Sequence, residues 1–206
     1  MSDASRGQPA SRWDERYAAD DYLFGTEPNG FLLNVEPELP RGEALCYGDG
    51  EGRNGVFLAT RGHRVTSMDA SAVGLEKARR LAERNGVALS VVQGDLREFD
   101  FGRERWDLIV SIFVHLPPEL RREVHRRAAA ALRPGGCFVI EAYTPEQLEY
   151  RTGGPPVREL LMTLDDVRSD LSGLEFEIAR EQVRDVIEGQ GHRGRAAVLQ
   201  VLARKR

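Results

Sequence analysis

The sequence predicts an α/β domain: a doubly wound, mostly parallel seven-stranded sheet that ends in an antiparallel C-terminal hairpin, with helices on both faces. Three observations carry that expectation. Short apolar runs alternate with helix-period patterns from residue 44 to residue 142, as strand–helix crossovers require. The first run enters a glycine-rich turn, Gly48-Asp49-Gly50-Glu51-Gly52. After residue 143 the alternation stops, and two extended segments at 174–186 and 196–203 read as an added hairpin.

Each element follows from local chemistry. Residues 44–47 form the first strand, and Val56, Phe57, Leu58 and Ala59 belong to a helix that stops at Gly62. Residues 64–69 are the second strand. Ser71 caps a helix carrying Leu75, Ala78, Leu81 and Ala82 on one face, which Asn85-Gly86 ends. Residues 89–93 and 106–112 are the third and fourth strands. Pro117-Pro118 opens a helix whose Leu120, Val124, Ala128 and Leu132 share a face. Pro134-Gly135-Gly136 turns the chain into a fifth strand at 137–142. Thr163 caps a short helix with Leu164, Val167 and Leu171 inward and Asp165 and Asp166 in its first turn. In the sixth strand Leu174, Phe176 and Ile178 alternate with Glu175 and Glu177, so one face is wet. The seventh is apolar on both faces and suits an interior position, and a polar, glycine-rich loop joins the two. Residues 1–9 are expected to be a disordered tail; residues 10–206 form one domain, with 10–40 as an N-terminal lid or cap.

With 41% hydrophobic and 30% charged residues among 206, the chain has the composition of a globular domain. A net charge of −4 gives no global field for nucleic acid or an anionic membrane. Arg121, Arg122, Arg126 and Arg127 are the local exception and read as a solvated helix face. No stretch approaches the roughly 18 apolar residues of a membrane span, and Met1 to Ala10 lacks a signal-peptide core, which points to the cytoplasm. Cys46 and Cys137 lie in apolar runs without metal-ligand spacing, so no metal site is expected. His63 and His125 are expected to face solvent.

In open α/β sheets a ligand lies beyond the carboxyl ends of the strands, and a glycine turn there permits close backbone approach. Asp69, at the tip of the second strand, can accept two hydrogen bonds from ribose hydroxyls. Its structural alternative, a carboxylate beside the helix cap Ser71, is compatible with that role. Asp49 and Glu51 would oppose a pyrophosphate, and the spacing is G-x-G-x-G without the gap of the dinucleotide fingerprint. S-adenosyl-L-methionine carries cationic groups and a carboxylate that Arg53, Asn54 and helix-start amides can receive, and it is the favoured cofactor.

On these residues the chain resembles the class I S-adenosylmethionine-dependent methyltransferases, which are Rossmann-like, over residues 12–205. Gly48, Asp49, Gly50, Glu51 and Gly52 match the first motif, and Asp69-Ala70 the ribose and adenine contact. Gly94-Asp95-Leu96 resembles the third motif, where the resemblance implies that Asp95 accepts from the adenine amino group and the Leu96 amide meets the ring. Ser111 and Ile112 fall where the family lines the methionine arm. One departure is Cys46, at a position where the family usually has an acid. A narrower resemblance, to small bacterial methyltransferases of the tellurite-resistance and thiopurine type, rests on Trp13 to Tyr17, Tyr22 to Pro28, Glu51-Gly52-Arg53-Asn54 and Gly191-His192-Arg193.

The acceptor side has fewer signals. Tyr17, Tyr22, Phe24 and Phe31 read either as a packed N-terminal segment or as a lid, Tyr17 and Phe24 then covering the sulfonium. His115 follows the fourth strand and can orient an acceptor or take its proton. His192 and Arg193 in the hairpin loop match the narrower family's substrate-side pair, and Tyr143 ends the fifth strand. Residues 143–156 are expected to wall the acceptor pocket. The leading expectation is direct in-line methyl transfer to a small molecule such as a thiol or metalloid oxyanion. Three alternatives stand beside it: methylation of a nucleic acid or protein, an NAD-dependent oxidoreductase, and a cofactor-binding module without catalysis.

Overall fold

The computed structural model describes residues 10–206; the expected tail at residues 1–9 lies outside them. Before the sheet come α1 (Ala10–Tyr17) and α2 (Gly30–Val35). Then follow β1 (Glu43–Tyr47), α3 (Arg53–Thr60), β2 (Arg64–Asp69), α4 (Ala72–Arg84), β3 (Ser90–Gln93), β4 (Trp106–Ile112), α5 (Pro118–Ala131) and β5 (Leu132–Tyr143). The C-terminal part holds α6 (Gln147–Tyr150), α7 (Leu164–Asp170), β6 (Glu175–Glu188) and β7 (His192–Arg204).

The seven strands lie in the order β3-β2-β1-β4-β5-β7-β6. β1 to β5 are parallel, and β7 runs antiparallel to both β5 and β6. The expected sheet is present, and the all-apolar seventh strand is interior because it is paired on both edges. Strand order reverses between β1 and β4, so the C-terminal ends of these two strands open the crevice where an α/β sheet takes its ligand.

Alternation along each strand builds two cores. Leu45, Ile109, Phe138 and Leu199 face Val124, Ala128 and Ala131 of α5. Ala44, Cys46, Leu108, Cys137 and Val139 face Phe31, Leu32 and Val35 of α2 and Leu58 of α3. Both cysteines are buried and free, as small apolar side chains are. Thr163 caps α7 in a full capping box with Asp166.

The structure corrects three expectations. The polar hairpin loop is mostly strand: β6 and β7 stay paired to Glu188↔His192, leaving Gly189, Gln190 and Gly191 as the turn. The arginine face of α5 is not uniformly solvated. Arg121 is 4% exposed and pairs with Asp166 and Asp170, and Arg127 donates to the carbonyls of Leu96 and Phe99. His63 and His125 are buried rather than solvent-facing. His125 Nδ1 lies 2.9 Å from Asp170 Oδ2, and His63 packs behind Glu36. The shared reason is that a helix or strand end docked by a neighbour buries polar positions that sequence alone places outside.

Asp170 thus clasps α5 to α7 by serving two buried partners. Replacing Asp170 with Ala leaves Arg121 and His125 buried beside one another, at an expected cost of about 3 kcal/mol. Urea unfolding of the variant measures this, and a midpoint equal to that of the parent chain would refute the clasp.

Candidate active site

The glycine turn sits at the end of β1, and three glycines in it have positive φ: Gly48 (62°), Gly50 (56°) and Gly52 (85°). Side chains there would also collide. A Cβ at Gly50 would lie 2.5 Å from the Tyr17 hydroxyl, and one at Gly52 would lie 2.4 Å from Ala78. Asp69 closes the turn from β2: one carboxylate oxygen accepts from Gly50 N and the other from Ser71 N, both at 2.8 Å. The carboxylate is 8% exposed, and burial raises its pKa. Each oxygen keeps a further lone pair for a hydroxyl donor.

Asp49 and Glu51 behave differently from the sequence expectation. Asp49 turns inward to Ser67 Oγ at 2.6 Å and to Gly55 N, and burial pushes its pKa up to about 6. Glu51 forms an ion pair with buried Lys77 at 2.5 Å and accepts from Phe24 N. Neither charge is free to repel a phosphate or attract a sulfonium, so the choice of cofactor rests on other grounds.

The N-terminal segment lies across the mouth. Lys77 of α4 donates to the carbonyls of Tyr17, Ala19 and Asp21, and Asp14 accepts from Ser71 Oγ and Val73 N at the start of α4. These contacts set the Tyr17 ring over Gly50, stacked on Trp13 at 5.5 Å and edge-on to Phe24 at 6.3 Å. Of the other aromatic residues there, Tyr22 donates to Lys77 O and Phe31 enters the core. An open groove of about 690 Å³ lies between residues 17–22 and α4, and no residue of the glycine turn lines it.

Opposite the turn, five aromatic rings gather. Phe113 follows β4 with φ +55°, an unusual conformation for a bulky residue, and its amide donates to Glu141 O at 2.7 Å. Its ring stacks on Tyr143 at 4.5 Å and meets His192 edge-on at 4.5 Å. Phe24 reaches His192 from the N-terminal segment at 4.5 Å, and His115 stacks on Tyr143 at 5.6 Å. Gly153 and Gly154 abut Tyr143, as a wall at residues 143–156 requires. Burial and the Arg53 charge push the His192 pKa down to about 3. Burial takes His115 to about 4 against the opposing bond to Leu160 O.

Behind the rings lies a buried charge network that the sequence reading missed. Glu188 accepts from Arg53 Nη2 at 2.6 Å, Arg184 Nη2 at 2.8 Å and Asn29 Nδ2 at 3.0 Å. Glu141, on β5, accepts from Arg184, Asn29 and Gln200. A glutamate inside the otherwise apolar run 137–142 was the available signal. Among the described residues, the shielded polar atoms without a hydrogen-bond partner at this end of the sheet are Arg53 Nη1, His115 Nε2, Tyr143 Oη, His192 Nδ1 and Tyr47 Oη, together with Glu51 Oε1, which is ion-paired with Lys77.

The other expected residues divide. Gly94 N donates to Asp69 O, Ala70 O accepts from Gln93, and Ser111 and Ile112 are buried at the end of β4. Asn54 Oδ1 accepts from Asn29 N, and Leu96 packs on the core. Asp95 instead lies half exposed, paired with Arg97 at 2.7 Å. Arg193 is exposed, since strand alternation turns it away from His192.

The fold is that of the class I S-adenosylmethionine-dependent methyltransferases, and in sequence the chain is similar to methyltransferases as well. A family model described as a methyltransferase domain matches residues 44–136. The chain is 25% identical over 162 residues to the 2-heptyl-1-hydroxyquinolin-4(1H)-one methyltransferase of Mycobacteroides abscessus, covering 73% of this chain and 71% of that one. It is 26% identical over 160 residues to a probable thiol methyltransferase 2 of Arabidopsis thaliana, covering 76% and 69%. A tRNA (uracil(54)-C(5))-methyltransferase of Pyrococcus horikoshii is 32% identical over 165 residues, 73% of this chain but only 40% of that protein. In fold, the chain matches TehB from Haemophilus influenzae with a TM-score of 0.71 and 20% identity, over 96% of this chain and 67% of that one. Among the described residues, no helix is long and apolar enough to cross a membrane.

The depressed histidines carry a pH signature. His192 is neutral when folded but titrates near 6.5 when unfolded, so its stabilisation is complete above that pH and lost as pH falls toward about 3. Asp49, raised to about 6, works in the opposite direction, so the comparison must isolate one residue. Between pH 6.5 and 5, His192→Phe should lose about 2 kcal/mol less stability than the parent chain. Denaturant titrations at the two pH values measure this, and parallel losses would contradict a neutral buried ring.

Proposed function

We propose that this chain transfers a methyl group from S-adenosylmethionine to a small-molecule acceptor, of the thiol or metalloid class, by direct in-line displacement. One observation carries the reading: shielded polar atoms without hydrogen-bond partners, Arg53 Nη1 among them, stand at the end of the sheet that holds a glycine turn closed by Asp69.

The residues fit the cofactor. The strained glycines admit close backbone approach, and Asp69 keeps lone pairs for ribose hydroxyls. Arg53 is held by Glu188 through Nη2, which leaves Nη1 to receive the methionine carboxylate. Gly94, Asp95 and Leu96 border the adenine side, and the faces of Tyr17 and Phe24 suit a sulfonium. When bound, the cofactor supplies an electrophilic methyl group and a neutral thioether leaving group. The protein's own contribution is orientation and exclusion of water, which the N-terminal segment and the aromatic wall provide.

A macromolecular acceptor is the second reading, favoured by the tRNA methyltransferase relative. Against it, Arg121 and Arg127, the core of the basic face it would need, are committed to contacts within the chain. A thiol acceptor draws support from the Arabidopsis relative, a probable thiol methyltransferase.

Replacing Asp69 with Ala should weaken S-adenosylmethionine binding at least about tenfold in calorimetry; unchanged affinity removes Asp69 from the site. A labelled-methyl screen over thiols, metalloid oxyanions, small amines, RNA and protein extracts should label small molecules. Label confined to macromolecules would overturn the acceptor class.

A further inference from the structure

Resting on the reading of the chain as an S-adenosylmethionine-dependent methyltransferase, we propose that Asp49 is a positioning residue for the cofactor: from beneath the glycine turn it caps α3 and so aims Arg53 into the crevice.

The N-cap position of α3 supplies no capping side chain, because the residue there is Gly52, left-handed at φ +85°. Asp49, three residues earlier, takes over that task. Its carboxylate oxygens lie 3.4 and 3.3 Å from Gly55 N, the third amide of the helix, where a capping oxygen belongs. Ser67 Oγ of β2 donates to the same carboxylate at 2.6 Å. The backbone of Asp49 is engaged as well: its N–H donates to Met68 O, and its carbonyl accepts from Gly52 N. One residue thus ties β2, the turn and the start of α3 together.

Gly55 is matched to this arrangement. A Cβ there would lie 2.5 Å from Asp49 Oδ2, so the carboxylate occupies the space of a side chain. Glycine is a weak helix former, and here it is the residue that leaves room for the cap. Between Gly52 and Gly55 stand Arg53 and Asn54, both buried. Arg53 reaches Glu188 through Nη2 with Nη1 shielded and unpartnered, and Asn54 accepts from Asn29 N. Among the described residues Asp49 makes no hydrogen bond to either side chain. It acts through the helix turn that carries them.

The titratable groups facing Asp49 are Cys46 of β1, Asp69 of β2, Arg53 of α3 and Tyr17 of α1, while Glu51 of the turn is paired with Lys77 of α4. Burial pushes the Asp49 pKa up to about 6, against the hydrogen bonds from Ser67 and Gly55. A carboxyl raised in this way stabilises the fold in its protonated form, and that contribution is lost as pH rises through about 6. Stability alone is served as well by a neutral amide. The charge strengthens the bond to Gly55 N, and with it the aim of Arg53.

Calorimetry with S-adenosylmethionine and urea unfolding test this side by side. At pH 8, Asp49→Ala, which removes the cap, should raise the Kd about 30-fold, and Asp49→Asn, which keeps the shape without the charge, about fivefold. The gap between Asp49→Asn and the parent chain should close by pH 5, where the parent's carboxyl is protonated too. The urea midpoint of Asp49→Asn at pH 8 should be no lower than the parent's. Unchanged affinity in Asp49→Ala, a gap constant with pH, or a lower midpoint in Asp49→Asn overturns the proposal. Gly55→Ala keeps the test open if Asp49→Ala does not fold: in the parent chain it should raise the Kd about tenfold, by displacing the cap. Placed on Asp49→Asn it should cost a similar factor, and placed on Asp49→Ala, where the space is vacated, nothing further; no effect in the parent chain, or an equal loss on Asp49→Ala, overturns it. No binding of S-adenosylmethionine to the parent chain brings down the methyltransferase reading and this proposal together. Normal binding that the Asp49 variants leave unchanged brings down this proposal alone.

Discussion

Glu188 is the point on which the functional end of this protein depends. Its carboxylate gathers Arg53 from the start of α3, Arg184 from β6 and Asn29 from the segment before α2. Asn29 in turn caps α2 through the amides of Phe31 and Leu32 and ties to Asn54. Two arginines and two glutamates, counting Glu141, balance in charge, so the cluster tolerates burial that no member would alone. Removing any one partner strands the others, at a cost of about 3–5 kcal/mol for a broken buried pair. The hairpin end, the cofactor turn and the N-terminal segment are therefore registered against each other by one set of hydrogen bonds.

That registration explains the division of the mouth into two chemically distinct walls. On the turn side, acids are present but committed: Asp49 to Ser67 and Gly55, Glu51 to Lys77. On the hairpin side, rings and neutral imidazoles predominate. Lys77 is the counterpart of Glu188 on the other flank, since it holds Glu51 and three carbonyls of the covering segment at once. The covering segment is held a second time by Asp14, whose carboxylate accepts from Ser71 Oγ and Val73 N at the start of α4.

The fold was largely legible. Period-2 and period-3.6 patterns, Ser71 and Thr163 as caps, and Gly62 and Gly86 as stops are local signals, and they placed the strands and most of the helices. The hairpin loop was misread because polar residues between 187 and 195 look like loop, yet cross-strand pairing holds them as edge strand. The buried arginine and histidines were misread for a related reason. Arg121 and His125 have side chains whose partners lie 45 or more residues away in sequence, as in Arg121 with Asp166 and His125 with Asp170. Local pattern holds no record of such partners.

For the site the division is sharper. The sequence by itself determined the glycine turn and its closure by Asp69, since Gly48, Gly50, Gly52 and Asp69 are specified by turn geometry and strand register over a short span. It also marked His115, which follows the fourth strand, Tyr143, which ends the fifth, and His192, through its resemblance to the narrower family. Only the tertiary structure decided which of the expected residues face one another. It turned Arg193 outward by strand alternation, paired Asp95 with Arg97, bent Phe113 into a left-handed conformation over Tyr143, and set the His115 tautomer through Leu160. The physical reason is that side-chain direction, burial and hydrogen-bond partnership are properties of packed neighbours, and those neighbours come from α2, α3, β5, β6 and β7, brought together only when the sheet closes.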